Sequence, residues 1–158
     1  MGEVIIMLTE KETMFLNDLK SQEQLCIDKY TRYSSQAHDG QLKSLFSQIA
    51  GAEHTHLDTL NKMLSGTAPS MAQRQSKGAA PQFTSTYSAG ENDANMKDDC
   101  YLCTDALANE KHVSSVYDTS VFEFSDPKMR DALSHIQKEE QEHGKMLYDY
   151  MAANGMYS

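Results

Sequence analysis

The chain has 158 residues, 39% of them hydrophobic, which is enough to bury a core as one folded domain over 1–158. Its formal net charge is -9 and no Lys/Arg cluster interrupts the acidity, which argues against nucleic acid as a partner. The N-terminal patch Val4-Ile5-Ile6 is too short for a membrane span or a signal peptide and has no basic flank. Ile6 also breaks the myristoylation pattern, so cytoplasmic synthesis without a membrane anchor is expected. Three cysteines, Cys26, Cys100 and Cys103, are an odd count and argue against a disulfide framework.

Richness in Leu, Ala, Glu, Gln, Lys and Met, with only three prolines, points to helices. The first is expected over about 9–38. It opens on a capping box, Thr9-x-x-Glu12, and stops at Asp39-Gly40. Its apolar or special positions are Leu16, Leu19, Glu23, Cys26, Tyr30, Tyr33 and Ala37, spaced as a bundle seam. The second, about 40–65, carries Leu42, Phe46, Ile49, Glu53, His56, Leu60 and Met63, and ends where Gly66 can take the left-handed cap.

Residues 66–95 turn to Gly, Pro, Ser, Thr and Gln. This is a connection long enough to run the length of a bundle, so the helices on either side of it need not be antiparallel neighbours. A third helix, about 96–124, carries Cys103, Ala106, Glu110, Val113, Tyr117, Ser120 and Phe124. A fourth, about 126–153, starts at Asp126-Pro127 and carries Met129, Leu133, Ile136, Glu140, His143, Leu147 and Tyr150. The expected fold is all-α: a ferritin-like four-helix bundle, two hairpins joined by a long crossover.

Two short motifs hold the chemistry, Glu53-x-x-His56 and Glu140-x-x-His143. Each sets a carboxylate and an imidazole one turn apart on a helix face. One such motif arises by chance, but these two share a register. Position 140 minus position 53 gives an offset of 87 residues, and that offset carries Asp18 onto Asp105, Glu23 onto Glu110, Tyr30 onto Tyr117, Ile49 onto Ile136 and Leu60 onto Leu147. The chain reads as one hairpin written twice.

Glu23, Glu53, Glu110 and Glu140 occupy seam positions that elsewhere hold Leu, Ile or Phe, as do His56 and His143. A lone ionised carboxylate there costs on the order of several kcal/mol, so it must be neutralised, paired or metal-bound. Four carboxylates balance two divalent cations, and each cation gains an imidazole. One Glu from each of two helices, with Glu-x-x-His from each of the other two, is the pattern of a carboxylate-bridged di-iron or di-manganese site; zinc suits the same donors. Tyr30 and Tyr117, two turns beyond Glu23 and Glu110, are placed to bond the ligand carboxylates from behind, with Asp18 and Asp105 as weaker candidates. A buried polar layer that fixes register without metal is the competing reading.

Other features point less far. Cys100-x-x-Cys103 reads as a redox pair or as core. His38, His112 and His135 lack ligand partners at helical spacing and read as surface residues; Tyr148, Tyr150 and Tyr157 read as surface or interface.

The set Glu23, Glu53, His56, Glu110, Glu140 and His143 resembles that of rubrerythrins, bacterioferritins and manganese catalases in the ferritin-like superfamily. That resemblance implies that Glu53 and Glu140 bridge the metals, with Glu23 and His56 completing one shell and Glu110 and His143 the other. The chain resembles more closely the Coat F family of spore coat proteins, through Leu42-Lys43-Ser44-Leu45-Phe46-Ser47-Gln48-Ile49-Ala50, Asp105-Ala106-Leu107-Ala108-Asn109-Glu110-Lys111-His112 and Ile136-Gln137-Lys138-Glu139-Glu140-Gln141-Glu142-His143-Gly144. It implies a spore coat location in an endospore-forming bacterium, with coat proteins or further copies of the chain as partners and a structural or oxidative-protection role. It names no reaction. The rivals are a soluble di-metal oxidase, peroxidase or catalase, and a coat protein with no metal. The chain has no rubredoxin module to deliver electrons, and its tail after Gly155 is too short for a bacterioferritin-type fifth helix.

Overall fold

A computed structural model describes residues 5–69, 81–87 and 93–157. The start of the N-terminal arm and much of the crossover lie outside the described residues. Four helices follow in order: α1 Glu10–Gln36, α2 Gly40–Leu64, α3 Ala94–Val121 and α4 Pro127–Ala153. The described residues contain no strand.

Local chemistry sets the helix ends. Thr9 accepts from Glu12 N while the Glu12 side chain accepts from Thr9 N, closing the capping box that opens α1. Asp39, Asp93 and Asp126 cap the other three helices, and Pro127 stands in the first turn of α4. Gly66 and Gly155 take positive φ, 89° and 67°, just past α2 and α4. At α3 the sequence reading differs at both ends. The helix starts two residues earlier than expected, on the Asp93 cap, and stops at Val121. Phe124 is nonetheless buried, because the chain leaves the helix before it and still turns that ring into the core.

The core is the seam. Its α2, α3 and α4 positions are all buried, and on α1 only Tyr33 is partly exposed. α1 packs against α2 and α3 against α4 as hairpins. Between hairpins, α1 faces α3 in antiparallel register, since Tyr30 meets Glu110 and Glu23 meets Tyr117. α2 likewise runs antiparallel to α4, with His56 against Glu140 and His143 against Glu53. It follows that α2 and α3 are parallel, and the crossover must span the bundle to join them. By residues 81–87 it has reached the far end, where Gln41 holds Thr84 and Thr86, and Asn154 Oδ1 accepts from Thr86 N and Tyr87 N.

The repeat also governs the hairpin turns. Asp99 on α3 is fully buried and accepts from His38 N and Asp39 N, both at 2.9 Å, in the α1–α2 turn. Glu12, the position 87 residues earlier, accepts from Ser125 N in the α3–α4 turn at 3.3 Å. Each turn is thus held by an acid of the opposite hairpin, which satisfies backbone donors that a tight turn would otherwise leave unpaired.

Candidate metal centre

The structure brings all six register-matched residues into the middle of the bundle. Glu23, Glu53, His56 and Glu140 have no solvent exposure, and Glu110 and His143 are 2% and 4% exposed. They form two overlapping groups that could each hold a metal ion: Glu23, Glu53, His56 and Glu140 in one, Glu53, Glu110, Glu140 and His143 in the other. Within each group the donor atoms lie within 4.8 Å of one another, and Glu53 and Glu140 belong to both.

Hydrogen bonding does not satisfy this cluster. Eight buried atoms have no hydrogen-bond partner: both carboxylate oxygens of Glu53 and Glu140, Oε2 of Glu23 and Glu110, and Nδ1 of His56 and His143. His56 Nδ1 is 2.9 Å from Glu140 and His143 Nδ1 is 3.0 Å from Glu53, but neither contact has the direction of a hydrogen bond. Buried polar atoms are almost always paired, so eight facing one another at a single level mark a place built for something else.

The surrounding groups hold the donors in orientation. Tyr117 donates to Glu23 Oε1 and Tyr30 donates to Glu110 Oε1, both at 2.5 Å. The bonds cross between hairpins and leave the Oε2 atoms buried without a partner. Burial, and then the adjacent carboxylate, pushes both phenols up, so each remains a donor.

Behind His56, Nε2 donates to Glu139 Oε1 at 3.1 Å. An ionised carboxylate only accepts, so Nε2 carries a proton and Nδ1 is the ring nitrogen that faces the cluster. The His56 N–H holds Glu139 below the usual carboxylate range, at about 2. Sequence reasoning passed over Glu139, which stands beside the seam rather than on it. His135, read as a surface residue, is half-buried with Nε2 3.1 Å from the same Glu139 oxygen.

In the metal-free cluster the charges push on one another. Burial, and then Glu140, raises Glu110 to about 8, and burial also raises Glu53. For His56 and His143 burial opposes the charged form, but the carboxylates around them outweigh it and both imidazoles are raised.

Several secondary expectations are corrected. Asp105 does not reach the cluster; it accepts from Lys29 and Tyr33 on α1. Asp18 is exposed, because the positions matching Lys29 and Tyr33 in the other half are Val116 and Ser120, too short or too apolar to meet it. The space left is a groove of about 220 Å³ lined by Phe15, Asp18, Val116 and Ser120. Tyr150 is core, with its hydroxyl on Asp39 at 2.6 Å, while Tyr148 and Tyr157 are exposed and stacked edge to face. Cys26, Cys100 and Cys103 are free thiols; burial raises Cys26 and Cys103, which pack as small core residues. No helix of the described residues is long and apolar enough to cross a membrane.

The chain matches no curated protein and no solved structure. Residues 98–158 match the family model of the Coat F domain, a stretch that includes Glu110, Glu140 and His143.

Proposed function

We propose that the chain is a ferritin-like, spore-coat-type protein holding a carboxylate-bridged dinuclear iron or manganese centre, with a structural or oxidative-protection role. The observation that carries this reading is the set of eight buried, unpartnered carboxylate and imidazole atoms, arranged so that Glu53 and Glu140 face both halves. Two divalent cations would neutralise the four carboxylates and occupy both imidazole lone pairs, whereas a polar layer that only fixed register would bond to itself. Zinc fits the same donors, and the identity of the ion is an outcome of the test.

Glu53 and Glu140 would bridge, Glu23 with His56 would complete one shell, and Glu110 with His143 the other. Tyr117 and Tyr30 orient the terminal glutamates, and Glu139 fixes the tautomer of His56. When bound, a pair of iron or manganese ions supplies redox chemistry toward O₂ or peroxide. The helices around it exclude bulk water.

The Coat F match supports a spore coat location and coat proteins, or further copies of the chain, as partners. Peroxide consumption by the loaded protein, lost in Glu53→Ala, would favour a soluble oxidase, peroxidase or catalase. Co-fractionation with spore coats without turnover would favour the structural role. Metal analysis of protein purified after growth with iron and manganese tests the centre itself. Absence of metal, with no uptake on reconstitution, would leave a coat protein with a metal-free polar core.

A further inference from the structure

The two halves of the centre are built from matching ligands but not from matching supports. Behind His56 stands Glu139, accepting from Nε2 at 3.1 Å, with His135 Nε2 against the same oxygen. The 87-residue register puts Ala52 where Glu139 stands and Gln48 where His135 stands. Alanine has no acceptor to offer, and among the described residues His143 Nε2 makes no hydrogen bond. The His143 side chain is 5% exposed, against none for His56. So one imidazole is fixed in rotation by a bond at its outer nitrogen, and the other is held by packing alone with its outer edge at solvent.

We infer that Glu139 is a positioning residue that makes the two metal positions inequivalent: the Glu23/His56 position binds first and tightly, and the Glu110/His143 position binds second and exchanges. The inference rests on the dinuclear reading above. A carboxylate behind a ligating imidazole fixes the ring and raises its basicity, and removing such a partner typically costs roughly 10–100-fold in metal affinity. Both effects act only where the carboxylate exists. The two bridging glutamates are shared, so they cannot create the difference. Tyr30 and Tyr117 support Glu110 and Glu23 alike at 2.5 Å, so they cannot create it either.

The test is calorimetric titration of the metal-free full chain with Mn²⁺. The wild type should show two steps separated by about tenfold or more in affinity. Glu139→Ala should weaken the tighter step by a similar factor, leave the weaker step in place, and make the two merge. Glu139→Gln, which keeps an acceptor for Nε2, should fall between. Ala52→Glu supplies the missing acceptor on α2 and should strengthen the weaker step, a gain that misfolding cannot imitate. Two equal steps in the wild type, an equal loss from both steps in Glu139→Ala, or no change in the weaker step of Ala52→Glu would overturn the inference while leaving a dinuclear centre standing. Failure of the wild type to take up two ions would overturn the dinuclear reading and this inference with it.

Discussion

Tyr117 on α3 donates its hydroxyl to Glu23 on α1, tying the two hairpins together through a carboxylate with no solvent exposure. The bond occupies Oε1 of Glu23 and leaves Oε2 buried without a partner. Tyr30 does the same for Glu110. A bond to a charged acceptor contributes about 1.5–3 kcal/mol, and Phe fills the same space without it. Tyr117→Phe should therefore lower unfolding free energy in urea by about that amount. A loss under about 0.5 kcal/mol would show that the phenol is only filling volume.

The repeat, the seam and the caps at Thr9, Gly66 and Asp126 were legible in the sequence because each is a local or periodic signal, whereas the Asp93 cap of α3 was not read. Glu53, His56, Glu140 and His143 announce themselves by spacing, and the offset between them finds Glu23, Glu110, Tyr30 and Tyr117. What was missed breaks one of these signals. Glu139 lies next to the seam and its register partner is Ala52, so neither periodicity nor repetition marks it. Tyr150 sat on the seam, but its place in a Tyr-rich tail suggested surface instead. Asp99 pairs in register with Glu12, but the two residue types differ, and what each does depends on a turn of the other hairpin that only the fold brings near.

Asp99 has the larger consequence of that pair. It accepts from His38 N, Asp39 N and the Tyr87 hydroxyl, the last at 2.6 Å, and so ties the α1–α2 turn and the crossover to α3. Asp99→Ala would leave three donors without a partner, at about 1–3 kcal/mol for each that stays buried. A fall in thermal midpoint of roughly 10 °C is expected, at about 2–4 °C per kcal/mol for a chain of this size. Glu12→Ala, which removes one long bond to Ser125 N and half of a capping box, should cost less. Equal shifts would contradict the assigned roles.

Two glycines make opposite predictions. Gly66 has φ 89°, and a Cβ there would lie 2.7 Å from Ile6 O and 2.8 Å from Ile5 Cγ2. Gly66→Ala should destabilise the fold by about 1 kcal/mol or more. Gly51 lies inside α2, and a Cβ at that position would meet nothing within 4 Å. Gly51→Ala should stabilise by about 0.5–1 kcal/mol. Chemical denaturation of both variants checks the pair, and the same sign for both would refute the backbone argument.

The pH dependence should invert with metal. In the metal-free protein Glu110 is raised to about 8 and Glu53 is raised as well, both first by burial. Raised acids bind protons in the folded chain that the unfolded chain has released, so stability falls as pH rises. What these two contribute is complete below the ordinary carboxylate range and is lost as pH rises through about 8. His56 and His143, also raised, act with the same sign at higher pH. Cations bound in their place need deprotonated ligands and gain with pH. The thermal midpoint in EDTA should fall between about pH 6 and pH 9 while its gap to the Mn²⁺-loaded protein widens. A gap independent of pH would show that protons and metal do not share these sites.

The most direct measurement is the metal-to-protein ratio, by elemental mass spectrometry, of wild type and of Glu53→Ala grown with iron and manganese. Glu53 faces both halves of the cluster, so its loss should take the ratio from close to two per chain to below one. A wild type that carries no iron, manganese or zinc and takes up none on reconstitution, or a Glu53→Ala protein that keeps the full ratio, would contradict the account.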